Sequence, residues 1–91
     1  MTTSYKVRYL KAAEKFIFKH KPEGLRFLKA FAEIAADYPN NIFKYDIKVF
    51  RCTTANVFRL RIGKYRAIFQ VQDDKILILV FDIDSRGDIY K

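Results

Sequence analysis

Ninety-one residues, 51% of them apolar and including nine Phe and six Tyr, suffice for one small core and exclude two independently packed domains. Eighteen Lys and Arg against ten Asp and Glu give a formal charge of +8, the footprint of a chain that meets nucleic acid, an acidic protein or an anionic membrane. The one cysteine, Cys52, excludes an internal disulfide, and the one histidine, His20, offers zinc no ligand set, so neither metal nor cofactor is expected. Met1 to Ser4 carry no apolar signal core and no apolar run reaches bilayer length, which reads as a reducing, cytoplasmic protein.

Taken in order, Tyr5-Lys6-Val7-Arg8-Tyr9 alternates apolar and cationic residues and predicts a short half-buried strand. Lys11 to Lys19 predicts a helix, with Lys11, Lys15 and Lys19 on one face and Leu10, Ala13, Phe16 and Ile17 on the buried one. Pro22 breaks the pattern. A second helix is predicted from about Glu23 to Tyr38, with Arg26, Lys29, Glu33 and Asp37 on a narrow polar stripe. A wide apolar arc of Leu25, Phe27, Leu28, Phe31, Ala32, Ile34, Ala35 and Tyr38 covers the rest. Pro39-Asn40-Asn41 then turns the chain.

Strands follow. Tyr45 to Arg51 reads as one, and Val57 to Ile62 as the next, with Phe58, Leu60 and Ile62 inward and Arg59 and Arg61 together on the other face. Gly63-Lys64 is a two-residue hairpin turn into Tyr65 to Gln72, whose alternation separates Ala67, Phe69 and Val71 from Arg66 and Gln70. Asp73-Asp74 makes another turn. Lys75 to Ile83 is too apolar for an edge strand, broken only by Asp82. The expected fold class is α+β: a short N-terminal strand, a two-helix hairpin, then an antiparallel sheet of three to four strands. All of it forms one domain over residues 1–91, with helices on one face and arginines on the other.

Ordinary roles account for many of these residues singly. Arg59, Arg61 and Lys64 suit a solvated strand face, His20 a helix cap, Cys52 a small buried hydrophobe and Tyr90 a cover for the sheet's end.

Together, Phe58-Arg59-Leu60-Arg61-Ile62-Gly63-Lys64-Tyr65-Arg66-Ala67-Ile68-Phe69, the apolar strand after it and the closing Ser85-Arg86-Gly87-Asp88-Ile89-Tyr90-Lys91 resemble the RelE/ParE superfamily of toxins from toxin-antitoxin pairs, in its RelE-like branch. The resemblance implies a metal-independent endoribonuclease that enters the ribosomal A site and cuts mRNA, the 2′-hydroxyl of one nucleotide attacking the adjacent phosphate. Carried over by position, Arg66 stabilises the transition-state phosphate, Arg86 contacts the scissile phosphate, Tyr90 orients a base, and Arg61 belongs to the basic cluster beside them. Arg59, Lys64, Lys48 and Lys91 would contact RNA, and the basic helical face of Lys11, Lys15 and Lys19 would meet the ribosome's 16S rRNA, though a solvated helix surface explains these lysines equally well.

Implied partners are a cognate antitoxin in a hetero-oligomer, the ribosome and mRNA, and no membrane. The best-known members carry two lysines where this chain has Val57 and Arg59, and a guanidinium, titrating above about 12, accepts protons poorly. The general base is therefore unassigned among Lys64, Lys48, Asp84 and Asp88. Two other readings stay open: a ParE-like toxin that poisons DNA gyrase, and a non-catalytic member that binds RNA or its partner.

Overall fold

The computed structural model describes residues 4–38, 40, 42–49 and 56–84, and everything structural below concerns these. Arg86, Asp88, Tyr90 and Lys91 of the C-terminal motif, together with Cys52, lie outside them. The elements are β1 (Lys6–Tyr9), α1 (Lys11–Lys19), α2 (Lys21–Asp37), a 3₁₀ turn (Ile42–Lys44), β2 (Asp46–Val49), β3 (Val57–Ile62), β4 (Tyr65–Gln72), a second 3₁₀ turn (Asp73–Lys75) and β5 (Leu77–Asp84).

The helices form a hairpin. His20 closes α1, its N–H donating to the Phe16 carbonyl at 2.8 Å, and its own carbonyl accepts from Gly24 at 2.6 Å. Pro22 does not delay the second helix to Glu23, because in the first turn of α2 the missing N–H of proline has no helical partner to lose. A side chain at Gly24 would stand 2.8 Å from the Ile17 Cα, so glycine is what lets the two helices touch.

The sheet order is β1-β5-β4-β3-β2, antiparallel throughout except for β1 beside β5. The sheet is thus five strands wide and mixed. The N-terminal strand joins it through a parallel pairing that places β5 in the interior, where its apolar run belongs. The Ile76 carbonyl accepts from the Lys6 N–H at 2.9 Å and the Leu10 N–H reaches the Val80 carbonyl at 2.9 Å, which ties the two ends of that pairing. Gly63, with φ of 60°, makes the tight β3–β4 turn.

Ala13 and Phe16 of α1 and Phe27, Ala30, Phe31, Ile34 and Ala35 of α2 pack on Leu60, Ala67, Phe69, Val71, Ile78, Val80 and Ile83 of the sheet. Two expectations are corrected here. Leu10 is exposed, because it precedes α1 in extended backbone and does not follow the helical period. The buried arc of α2 is narrower than its sequence suggests, with Leu25 and Ala32 exposed on the flank turned away from the sheet.

Candidate nucleic-acid interface

The strand alternation of β3 and β4 decides what the open face presents. Since Leu60, Ala67, Phe69 and Val71 point into the core, Arg59, Arg61, Arg66 and Gln70 project from the other side. β5 does not alternate simply. Phe69 pairs with Val80 but Ile68 pairs with Asp82, so Phe81 is an extra residue, a β-bulge. The bulge keeps Val80 and Ile83 in the core and turns Asp82 outward. Unbroken alternation after Ile78 and Val80 would have driven a carboxylate into apolar side chains, at a cost of several kcal/mol.

The register then sets two rows across the open face. One runs Asp84, Arg66, Arg61, Asp46 from β5 to β2, and the next runs Asp82, Ile68, Arg59, Lys48. Arg61 and Arg66 stand directly opposite one another, an arrangement of like charges that costs stability, with a carboxylate at each end of the row. The Arg59 guanidinium lies 3.6 Å from Asp46, with the arginine side chain 17% exposed and its Nε buried without a hydrogen-bond partner. Ile68 is buried in the middle of the second row. The whole forms an apolar floor with guanidinium groups on one side and the Asp82 carboxyl on the other.

Burial raises the Asp82 carboxyl above the ordinary aspartate range. The Ile83 N–H, donating to Oδ1 at 2.8 Å, pulls the other way, and the charge of Asp84 adds to the rise.

Other expected site residues lie at the edge of this arrangement or outside it. Lys64 sits at the hairpin tip, its Nζ 5.8 Å from the centroid of the neighbouring Tyr65 ring. Lys48 is exposed on the edge strand, in register with Arg59. Lys11, Lys15 and Lys19 are exposed on α1, in the layer on the opposite side of the sheet, so they form a separate basic surface.

Arg61 also borders a groove of about 460 Å³ between α2 and the β2–β3 corner, lined by Arg26, Lys29, Lys44, Tyr45, Glu33 and Asp46. There the Tyr45 hydroxyl donates to Glu33, and burial together with that bond and charge pushes the tyrosine up to about 12. Sequence reasoning missed Tyr45 and Asp82. The only local signal for the latter was one acidic residue inside the most apolar strand.

Comparison with known proteins places the chain among relatives. Residues 6–90 match the family model described as ParE toxin of type II toxin-antitoxin system, parDE. Toxin RelG of Mycobacterium tuberculosis is 30% identical over 88 residues, covering 96% of this chain and 97% of RelG. The archaeal RelE-RelB complex from Pyrococcus horikoshii OT3 contains a chain 25% identical with a TM-score of 0.75, covering 93% of this chain and 98% of that one. The RelB-RelE antitoxin-toxin complex from Methanococcus jannaschii contains one 27% identical with a TM-score of 0.62, covering 92% and 95%.

Proposed function

Because the chain belongs to the ParE toxin family of type II toxin-antitoxin systems, within the RelE/ParE superfamily, we propose that it is a toxin of the RNA-cutting kind: a ribosome-dependent endoribonuclease that cleaves mRNA in the A site. The observation that carries this reading is the juxtaposition of Arg61 and Arg66, with Arg59 beside them, on an open sheet face. Two arginines paired across neighbouring strands can meet one anion from two sides. The crowded phosphorane of an in-line 2′-hydroxyl attack carries more negative charge than the diester it comes from, so the pair favours the transition state over the substrate. The planar fork of arginine suits two phosphate oxygens at once.

In this reading Arg66 and Arg61 act on the scissile phosphate with Arg86, which the family motif supplies, while Tyr90 orients a base. Arg59 and Lys48 continue the cationic row along the RNA, and Lys64 and Lys91 meet its flanks. Lys11, Lys15 and Lys19 are left for rRNA on the far side.

A cognate antitoxin is the proposed protein partner, as RelB is for the RelE chains in the two archaeal complexes. Apolar surface is available to it. Phe18 and Leu25 are 74% and 64% exposed and line a shallow cleft with Ile17 and Lys21. Phe43 and Val49 are exposed at the edge strand. Among the described residues no helix is long and apolar enough to cross a membrane.

Expression without the antitoxin should arrest growth and leave new mRNA 5′ ends phased to the reading frame, mapped by primer extension. Continued translation with unbroken mRNA refutes the proposal. The matched family's parDE designation favours one rival specifically, a gyrase poison. That rival would produce DNA damage signalling with mRNA intact.

A further inference from the structure

An arginine set leaves one chemical role empty, since something must take the proton from the attacking 2′-hydroxyl. Of the four groups that the sequence offered, Lys64 is turned to the hairpin tip, Lys48 lies on the edge strand two positions from β4, and Asp88 lies outside the described residues. Asp84 stands directly across from Arg66, at the end of the row that holds both arginines. None of the three described groups borders the Ile68 floor directly from β5.

Asp82 does. The bulge at Phe81 brings it out on the open face across from Ile68, with Arg59 on the far side of that residue in the same row. Building on the ribonuclease reading above, we propose that Asp82 is the proton acceptor for the 2′-hydroxyl, working over the Ile68 floor opposite the arginines.

The geometry divides the labour of the carboxylate. Oδ1 accepts the Ile83 N–H at 2.8 Å, which fixes the group and leaves Oδ2 for the substrate. Proton transfer to Oδ2 lets the 2′-oxygen form its bond to phosphorus while the bond from phosphorus to the 5′-oxygen breaks. The departing 5′-oxygen takes a proton from a water molecule, and the hydroxide so formed recovers the proton held by Asp82. Atoms and charge balance, and the products are a 2′,3′-cyclic phosphate and a 5′-hydroxyl.

Among the described residues, the charged groups that face Asp82 are Asp84 on its own strand, Arg66 on β4, Arg59 and Lys48 in its row, and Arg8 on β1 across from Leu79. The carboxyl, raised chiefly by burial, is a better base than an ordinary aspartate.

The test is single-turnover cleavage of mRNA on programmed ribosomes by wild type, Asp82→Asn, Asp82→Glu and Asp84→Asn, across pH. Wild type should lose rate as pH falls through the Asp82 titration. Asp82→Asn should cut about 100-fold or more slowly with KM unchanged and no acid limb, Asp82→Glu should recover part of the rate, and Asp84→Asn should keep the acid limb.

A stability readout separates this from a structural role. A carboxyl raised by the fold destabilises the native state as pH rises from the unfolded value, about 3.9, through the folded one, so the always-neutral Asp82→Asn should melt no lower than wild type at pH 7. The inference is overturned if Asp82→Asn cuts within about threefold of wild type with the same pH profile, if it is slow only because it melts lower, or if Asp84→Asn is the variant that loses the acid limb. A wild-type protein that leaves mRNA whole removes the ribonuclease reading itself, and with it the role of Asp82.

Discussion

Arg66→Ala gives a folded protein that cleaves ribosome-bound mRNA at least about 100-fold more slowly than wild type, with substrate binding weakened far less. The residue sits on β4 between Arg61 and Asp84, on the face away from the helices. In the proposed reaction, removing it takes away one of two cations that meet the charge developing in the transition state. Loss of a preorganised contact of that kind costs about 3 kcal/mol of barrier, or two orders of magnitude or more in rate. Arg66 lies outside the hydrophobic core, so the melting temperature should stay within a few degrees of wild type. Single-turnover kinetics and a thermal melt on the same preparation check both halves. Full activity in this variant would take Arg66 out of the mechanism.

The second large effect concerns the fold. Phe69 is fully buried at the centre of the sheet, its ring 5.1 Å from Phe31 at 79° and 5.6 Å from Phe58. It therefore joins α2 to the strand that carries Arg66. Phe69→Ala should cost about 3–5 kcal/mol through lost burial and the cavity left behind. A chain of this size has a total stability of roughly 5–15 kcal/mol, and each kcal/mol is worth about 4–8 °C, so the midpoint should fall by more than about 12 °C in a calorimetric scan. In cells the variant should arrest growth more weakly because its larger unfolded fraction is cleared by proteases, even though its arginines are untouched. A melting temperature within a few degrees of wild type would show that the Phe31–Phe69–Phe58 stack does not hold the layers together.

These two residues also show what can be read without a structure. Period-two alternation on either side of Gly63-Lys64 is a local signal, so the hairpin, the inward Phe69 and the outward Arg59, Arg61 and Arg66 were all legible. Two features were not. The parallel pairing of β1 with β5 joins residues some seventy positions apart and leaves no local trace, which is why the sheet is wider than the three or four strands expected. The bulge at Phe81 is the other. Strict alternation puts Asp82 toward the helices, and only the pairing of Ile68 with Asp82 shows that the chain slips by one residue to turn it out. The motif residues Arg86 and Tyr90 were legible through family resemblance alone, and their contribution rests on it.

The architecture divides the basic surface by layer. Arg59, Arg61 and Arg66 project from the open side of the sheet, and the lysines of α1 belong to the layer on the other side. Under the proposed function one face would meet the message and the other the surrounding rRNA, and salt should weaken the two kinds of contact together.

Phosphoryl transfer at the open face is tested by incubating the purified protein with ribosomes programmed with a defined mRNA and identifying the ends produced. The expected result is a cut within the A-site codon that leaves a 2′,3′-cyclic phosphate on one fragment and a 5′-hydroxyl on the other. Intact mRNA, from a folded preparation that still arrests growth when expressed, would contradict it.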